Sequence, residues 1–436
     1  GRSALAAPGK ARPTPRKATA APAAGKARPK VRPKAGAAKA SKVSASVLRR
    51  AKSHQLRPAH VTAAQSDAGV SAAQRTIRLA PRRRRPRLHL KTPSLHVGDF
   101  GEAIHQALAT TTTGYAMQLR HNGTPVYNLL WEWARTPYNG GAGWSMGTRM
   151  HVASVSKLLT AMAMVHALNA SGLSVDDRIA PHLPSYWSTG ARIGDLTFRH
   201  LLTHTSGFRG GGSASDYGFM RGRVAAGVAS TFGMYGYHNM NFGLCRILIP
   251  VVRGSISRTA SFGDLTNTVW DLQTTALFRD YCNAQIFAPA GVHNVGFAPS
   301  GVRALAYRQP HSGIPGWDSG DLATAAGGAG FRMSIDELLA VMGTFRRGGA
   351  IVSPSEAQDA LDARLGIDQR IDTPAGSLYN KNGAWRDSST NPRQEQCVAY
   401  FFPNNMELAC YVNSPIAGNG SLRGIVADAF VASLRP

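Results

Sequence analysis

Acidic residues are almost missing from the first 97 positions: Asp67 stands alone against 24 lysines and arginines, whereas residues 98–436 hold 23 acids against 26 bases. Of the formal net charge of +26, the first segment therefore carries +23 and the remainder +3. This excludes a reading in which the remainder is itself a basic nucleic-acid-binding surface, because its own charge is close to balanced. The first segment also has no Phe, Tyr or Trp; it is Ala, Pro, Lys, Arg and Ser, closing on Arg82-Arg83-Arg84-Arg85-Pro86-Arg87. Such a composition buries too little apolar surface to offset chain entropy, so residues 1–95 are expected to be a disordered basic extension and 96–436 the folded domain. The extension's charge suits an anionic envelope polymer or a membrane surface; a solvated spacer or leader remnant is the alternative. Nucleic acid is an unlikelier partner, since no aromatic platform for bases accompanies the charge.

Long apolar runs are absent too. The longest, over residues 158–168, is broken at His166, which excludes a transmembrane helix of ordinary length. The sequence begins at Gly1 and shows no apolar signal core, so either a targeting peptide has been removed or the sequence starts inside the precursor; the expected location is periplasmic or secreted. Cysteine is scarce: Cys245, Cys282, Cys397 and Cys410 are too few for a disulfide scaffold and lack C-x-x-C spacing. Two bridges are permitted. Cys397 and Cys410 flank the turn-like Phe402-Pro403-Asn404-Asn405, which would set them opposite each other on neighbouring strands, leaving Cys245 to pair with Cys282. Four buried thiols are the alternative. No His-x-x-x-His or carboxylate cluster suggests a metal, and no cofactor is expected.

What is present beyond Val97 has globular texture. Residues 100–108 show helical spacing, and residues 115–119 and 126–133 alternate as two strands turned at Asn122-Gly123. Helical patterns fill the middle, at residues 158–168, 241–252 and 270–287. Strands return at 383–385, 398–402 and 408–412, before a last helix over 422–434. Strands at both chain ends with helices between predict an α/β (α+β) fold: an antiparallel sheet built from the two ends, flanked by helices, with an inserted helical lobe.

Lysine is the next scarcity. Residues 98–436 contain 24 arginines and only two lysines, Lys157 and Lys381. Arginine does not deprotonate, whereas a desolvated lysine amine can serve as a neutral base, so the two exceptions invite a chemical reading. Lys157 follows Ser154 by three residues at the start of a helical pattern. That spacing puts amine and hydroxyl on one face, near a helix N-terminus that favours negative charge. A capping serine with a solvent-facing lysine is the bland alternative. Tyr237-His238-Asn239 offers a phenol able to relay a proton and an amide able to bond a substrate carbonyl. Tyr281-Cys282-Asn283 has the same spacing, inside an apolar helical pattern that suits packing. Lys381-Asn382-Gly383 joins a cation to a glycine, at what reads as a strand start.

The order Ser-x-x-Lys, Tyr-x-Asn, Lys-x-Gly resembles the serine β-lactamase and penicillin-binding-protein superfamily, specifically the class C-like serine hydrolases. Leu201-Leu202-Thr203-His204-Thr205-Ser206-Gly207, Ile286-Phe287-Ala288-Pro289-Ala290-Gly291 and Ala326-Gly327-Gly328-Ala329-Gly330-Phe331 are similar to stretches of that family. The resemblance covers residues 98–436 and implies a two-lobed hydrolase acting on an amide or ester of a small molecule or peptide. It implies Ser154 as acylated nucleophile, Lys157 as its base and Tyr237 as proton donor to the leaving group. Asn239, Lys381, Asn382 and Gly383 would bind substrate, with Lys381 meeting either the substrate carboxylate or the Tyr237 phenol, and the N–H groups of Ser154 and Ala384 would form the oxyanion hole. It implies a structural role for His204. The chain departs from the pattern at Asn382, where the family commonly has Thr or Ser; losing that hydroxyl favours a peptidase or esterase over a resistance β-lactamase. The competing reading is a non-catalytic module of the same fold whose function lies in a polyanion-binding tail.

Overall fold

The computed structural model describes residues 93–210, 215–311 and 313–436. The expected extension lies outside them except for its last three residues, and these already belong to the fold. Strand β1 (Ser94–Leu95) pairs antiparallel with β11 (Leu434–Arg435) at the other end of the chain. The terminal helix correspondingly stops at Ala432, and Leu434 joins a strand.

A seven-stranded antiparallel sheet carries the architecture. Its order is β4 (Ala142–Gly143), β3 (Thr124–Arg135), β2 (Gly114–His121), β10 (Met406–Val412), β9 (Gln394–Phe402), β8 (Gly376–Arg386), β7 (Gln369–Thr373). Strands from the two chain ends thus meet at the β2–β10 pair, as the sequence pattern predicts. The β2–β3 hairpin turns at Asn122 and Gly123, with φ of 51° and 84°, the left-handed pair that a two-residue hairpin loop demands.

Period-two alternation sorts the sheet's side chains into two layers. Tyr115, Met117 and Leu119 of β2, Val398, Tyr400 and Phe402 of β9 and Leu408, Cys410 and Val412 of β10 pack on one face under α1 (Val97–Leu108) and α9 (Leu422–Ala432). Helix α1 buries Phe100, Ile104 and Leu108, one stripe at a spacing of four. Phe402 and Phe430 stack in parallel with centroids 4.5 Å apart. Each such buried ring contributes about 1.5–3 kcal/mol of apolar transfer.

Ala116, Cys397, Ala399, Phe401, Ala409 and Tyr411 face the other way, into the larger core formed with the helical region. At its centre are two helices apolar almost all round, α2 (Ser156–Asn169) and α5 (Met240–Val252), a pattern that suits only full burial. Next to them runs α6 (Thr266–Cys282). The helical pattern read over 270–287 divides here, α6 being followed by one π-helical turn, Asn283–Phe287. Asn283 uses its side-chain amide on both backbone groups of Val295, and Cys282 is buried in the core. Among the described residues no helix is long and apolar enough to cross a membrane.

The expected disulfides are not formed: all four cysteines are free and buried. The β9–β10 turn is where the sequence places it, yet Cys410 opposes Val398, and Cys397 opposes Tyr411. The two thiols are one register step apart, so they point to opposite faces of the sheet and into different cores. Cys245 donates its S–H to the Asn241 carbonyl one turn back at 3.4 Å. Burial pushes all four thiols up from their ordinary pKa, which keeps them protonated and inert.

Candidate active site

Ser154 sits in a single 3-10 turn, Ala153–Val155, that runs directly into α2. Ala153 has φ 45°, a left-handed conformation that costs an L-residue on the order of 1–2 kcal/mol and is held by the surrounding bonds. The Val152 N–H donates to the Phe331 carbonyl at 3.0 Å, and the Phe331 N–H donates to Ser156 Oγ at 3.2 Å. The turn is therefore tied on both sides to the glycine-rich segment ending at Phe331.

One turn into α2, Lys157 is completely buried. Its Nζ lies 3.0 Å from Ser154 Oγ and donates to Asn239 Oδ1 and to the Gly328 carbonyl, both at 2.7 Å. Burial depresses its pKa well below the ordinary lysine value; the Lys381 ammonium pushes the same way, and Asp368 partly opposes them. A neutral amine has two hydrogens and a lone pair. The two acceptors, Asn239 and Gly328, take the hydrogens and aim the lone pair at Ser154. The same face receives a second polar group: the Tyr237 hydroxyl donates to Ser154 Oγ at 2.7 Å, and its ring lies 4.8 Å from Lys157 Nζ and 5.2 Å from Lys381 Nζ.

The sequence reading assigns Asn239 to substrate, but the side chain is 4 % exposed and its oxygen lies on Lys157. It stands at the start of α5 and holds the Lys157 amine through that oxygen. His204 belongs to the wall behind Tyr237, with ring centroids 4.5 Å apart. Its Nδ1 accepts from the His238 N–H and from Asn241 Nδ2, and burial together with Lys157, Lys381 and His238 holds it well below the usual histidine pKa.

Lys381 is not at a strand start, as the sequence suggests, but midway along β8. Its ammonium, 1 % exposed, pairs with Asp368 Oδ1 at 2.5 Å. Asp368 Oδ2 accepts the Asn382 N–H at 3.0 Å, and the Asn382 side-chain oxygen accepts from Arg423 Nη1 at 3.5 Å. Burial lowers the Lys381 pKa, Asp368 pulls it back up, and Arg423 adds to the lowering. Gly383 fills the closest approach in the site. A Cβ there would lie 2.5 Å from the Val152 carbonyl oxygen and 2.8 Å from Ser154 N, so no larger residue fits without moving Ser154. The Asp368 N–H donates to the Asn380 carbonyl, and the Asn382 N–H turns to the same side. By the period of two, the Ala384 N–H also points to this edge, which β7 leaves uncovered beside Ser154.

Ser154, Lys157, Tyr237 and Asn239 are thus joined by direct hydrogen bonds, and β8 packs against them through Gly383. Sequence reasoning missed Asp368, which lies 13 positions ahead of its lysine with no local motif, and Arg423, which begins α9 far along the chain. Gly328 stands in the sequence only within a string similar to the family's; its role as carbonyl acceptor for Lys157 has no side-chain signature. A surface groove of about 1200 Å³ between α6 and residues 293–300 contains none of these groups. Among the described residues no three His, Cys, Asp or Glu side chains cluster as metal ligands.

Comparison with known proteins gives a consistent picture. The family model described as Beta-lactamase matches residues 100–378, which stops three residues short of Lys381. No curated protein sequence matches the chain. Among solved structures, the fold is similar to an octameric penicillin-binding protein homologue from Pyrococcus abyssi, with 17% identity, TM-score 0.59 and coverage of 77% of this chain and 76% of that one. It is similar to a beta-lactamase/D-alanine carboxypeptidase from Pseudomonas syringae, with 16% identity, TM-score 0.58 and coverage of 78% and 98%. It is also similar to a D-amino acid amidase from Ochrobactrum anthropi, with 17% identity, TM-score 0.54 and coverage of 77% and 98%.

Proposed function

The chain belongs to the beta-lactamase family, and we propose that within it the protein is a class C-like serine hydrolase that forms an acyl-enzyme on an amide or ester. The observation that carries this reading is the convergence on one oxygen: Ser154 Oγ lies within hydrogen-bond reach of both a buried lysine amine and a tyrosine hydroxyl. In the proposed cycle the Lys157 amine takes the Ser154 proton as Oγ adds to the substrate carbonyl carbon. The oxyanion that develops is met by the Ser154 and Ala384 N–H groups, donors fixed by the turn and by β8. Collapse breaks the bond to the leaving nitrogen or oxygen, which takes its proton from Tyr237, and the Lys157 ammonium returns a proton to Tyr237. Water then attacks the ester with Tyr237 and Lys157 as the base, releasing the acid and restoring the Ser154 hydroxyl.

Strand β8 supports a narrower substrate class. Lys381 is buried against Asp368 and the following side chain is an amide turned to Arg423, so no hydroxyl stands where the family commonly has one. This supports a D-amino-acid peptidase, amidase or esterase over a resistance β-lactamase. The test is intact-protein mass spectrometry after exposure to a fluorophosphonate, a penicillin, a D-Ala-D-Ala peptide and a p-nitrophenyl ester. A Ser154-dependent adduct with the fluorophosphonate and turnover of the ester or peptide are expected; a stable penicillin adduct with no turnover of the others would reverse the substrate assignment.

A further inference from the structure

Behind the nucleophile lies an ionisable pair that the proposed chemistry does not use. His151, in β5 (Met150–His151), has no solvent exposure, and Glu395 of β9 is 1 % exposed. The imidazole Nε2 accepts the Gly330 N–H at 3.1 Å. A nitrogen that accepts a backbone N–H carries no proton, so the ring's proton is on Nδ1 and is donated to Glu395 Oε2 at 3.2 Å. The Ser319 hydroxyl donates to the same carboxylate oxygen at 3.1 Å. Arg332, of β6 (Arg332–Met333), donates to Ser319 Oγ at 2.8 Å and to Asp318 Oδ1 at 2.9 Å. The His151 ring stands edge-on to Trp385, the cross-strand partner of Glu395, at 5.3 Å and 83°.

Each of these contacts leads to a different wall of the catalytic site. His151 is three residues before Ser154 on the strained turn. Gly330 is two residues after Gly328, whose carbonyl holds Lys157. Trp385 and Glu395 adjoin Ala384, the proposed second oxyanion donor, on β8 and its neighbour. One buried ring therefore meets the nucleophile turn, the support of the base and the oxyanion strand at once.

We propose that His151 and Glu395 are positioning residues that hold these three walls in register, and that protonation of His151 releases the hold. The proposal rests on the acyl-enzyme reading. An imidazolium would turn Nε2 into a donor facing the Gly330 N–H, itself a donor, so that bond is lost on the acid side. The charged groups facing the ring are Glu395 on β9 and Asp318, which favour its protonation, and Arg332 on β6, which opposes it. Burial outweighs them and keeps the ring neutral at neutral pH.

The rate of fluorophosphonate labelling, in which Ser154 Oγ displaces fluoride from phosphorus, tests the proposal in the full chain. His151→Phe keeps a ring but offers no nitrogen; labelling at pH 8 is expected to slow by up to about 100-fold, the scale of an ångström of misplacement. In His151→Gln the amide oxygen can accept from Gly330 and the NH2 can donate to Glu395, so labelling should return close to the wild-type rate. The variants should also differ with pH. Wild-type labelling should steepen to the second power of proton concentration over about two pH units below the His151 ionisation, one proton for Lys157 and one for His151, whereas the His151→Gln rate should fall as the first power throughout. If His151→Phe labels at the wild-type rate, if Gln fails to rescue, or if wild type and His151→Gln share one acid limb, the positioning role is wrong and the acyl-enzyme reading stands. If His151→Phe does not fold, the comparison of wild type with His151→Gln decides alone. Absence of Ser154-dependent labelling in the wild type overturns both.

Discussion

In the proposed cycle Lys157 is the residue on which the chemistry turns, and its surroundings set a pH dependence whose sign can be worked out. Burial and Lys381 lower its pKa, and Asp368 raises it. The amine is a base only when neutral, so acylation should rise with pH through an ionisation well below that of free lysine, about 10.4. Lys157→Arg keeps the charge, cannot supply a lone pair, and should be nearly as inactive as Lys157→Ala in a pH series of ester hydrolysis; an active Arg variant would mean that only the charge is needed. Asp368→Asn removes the one group that holds the lysine pKa up, so the rise in activity should move to lower pH. The same substitution leaves the buried Lys381 ammonium without its carboxylate, and urea unfolding should show a loss of about 3–5 kcal/mol. An unshifted profile would show that Asp368 does not reach the base electrostatically. The scarcity of lysine made Lys157 and Lys381 visible in the sequence; Asp368 was not, because aspartates are common and only the register of β7 and β8 brings this one to them.

Among the elements, those with strong periodicity were legible and those without were not. The four-residue apolar stripe of α1 and the Asn122-Gly123 turn carry their own signal. Strand β7 reads Gln-Arg-Ile-Asp-Thr, polar and half exposed at the sheet's edge, and gives none. The β9–β10 turn was legible while its register was not, since a three-residue loop and a two-residue loop differ by the one step that decides whether Cys397 meets Cys410. Thiol titration of the denatured, non-reduced protein should accordingly find four free thiols; a peptide map joining Cys397 to Cys410 would mean that the strands pair in another register. Strand β8 makes the sharper case for function. Gly383→Ala would drive a Cβ into the Val152 carbonyl and Ser154 N, so it should abolish labelling and destabilise by about 1–3 kcal/mol in thermal unfolding. An active Gly383→Ala variant would show that β8 does not press on the nucleophile turn.

For the whole molecule, the sheet joins the two chain ends and the helical region between them supplies Ser154, Lys157 and Tyr237 against its edge. That arrangement was readable from the order of strands and helices, and the fold is similar to the solved structures compared above. The concentration of charge in residues 1–97 was equally plain in the composition. An exported location and an anionic partner for that segment are proposals that rest on composition and on the proposed substrate. The central claim is narrower: Ser154 is a nucleophile activated by Lys157 and Tyr237. Intact-protein mass spectrometry of the wild type and of Ser154→Ala after fluorophosphonate treatment tests it most directly. The account predicts a single phosphonyl adduct on the wild type and none on a folded Ser154→Ala variant. An adduct of equal yield on both proteins would contradict it.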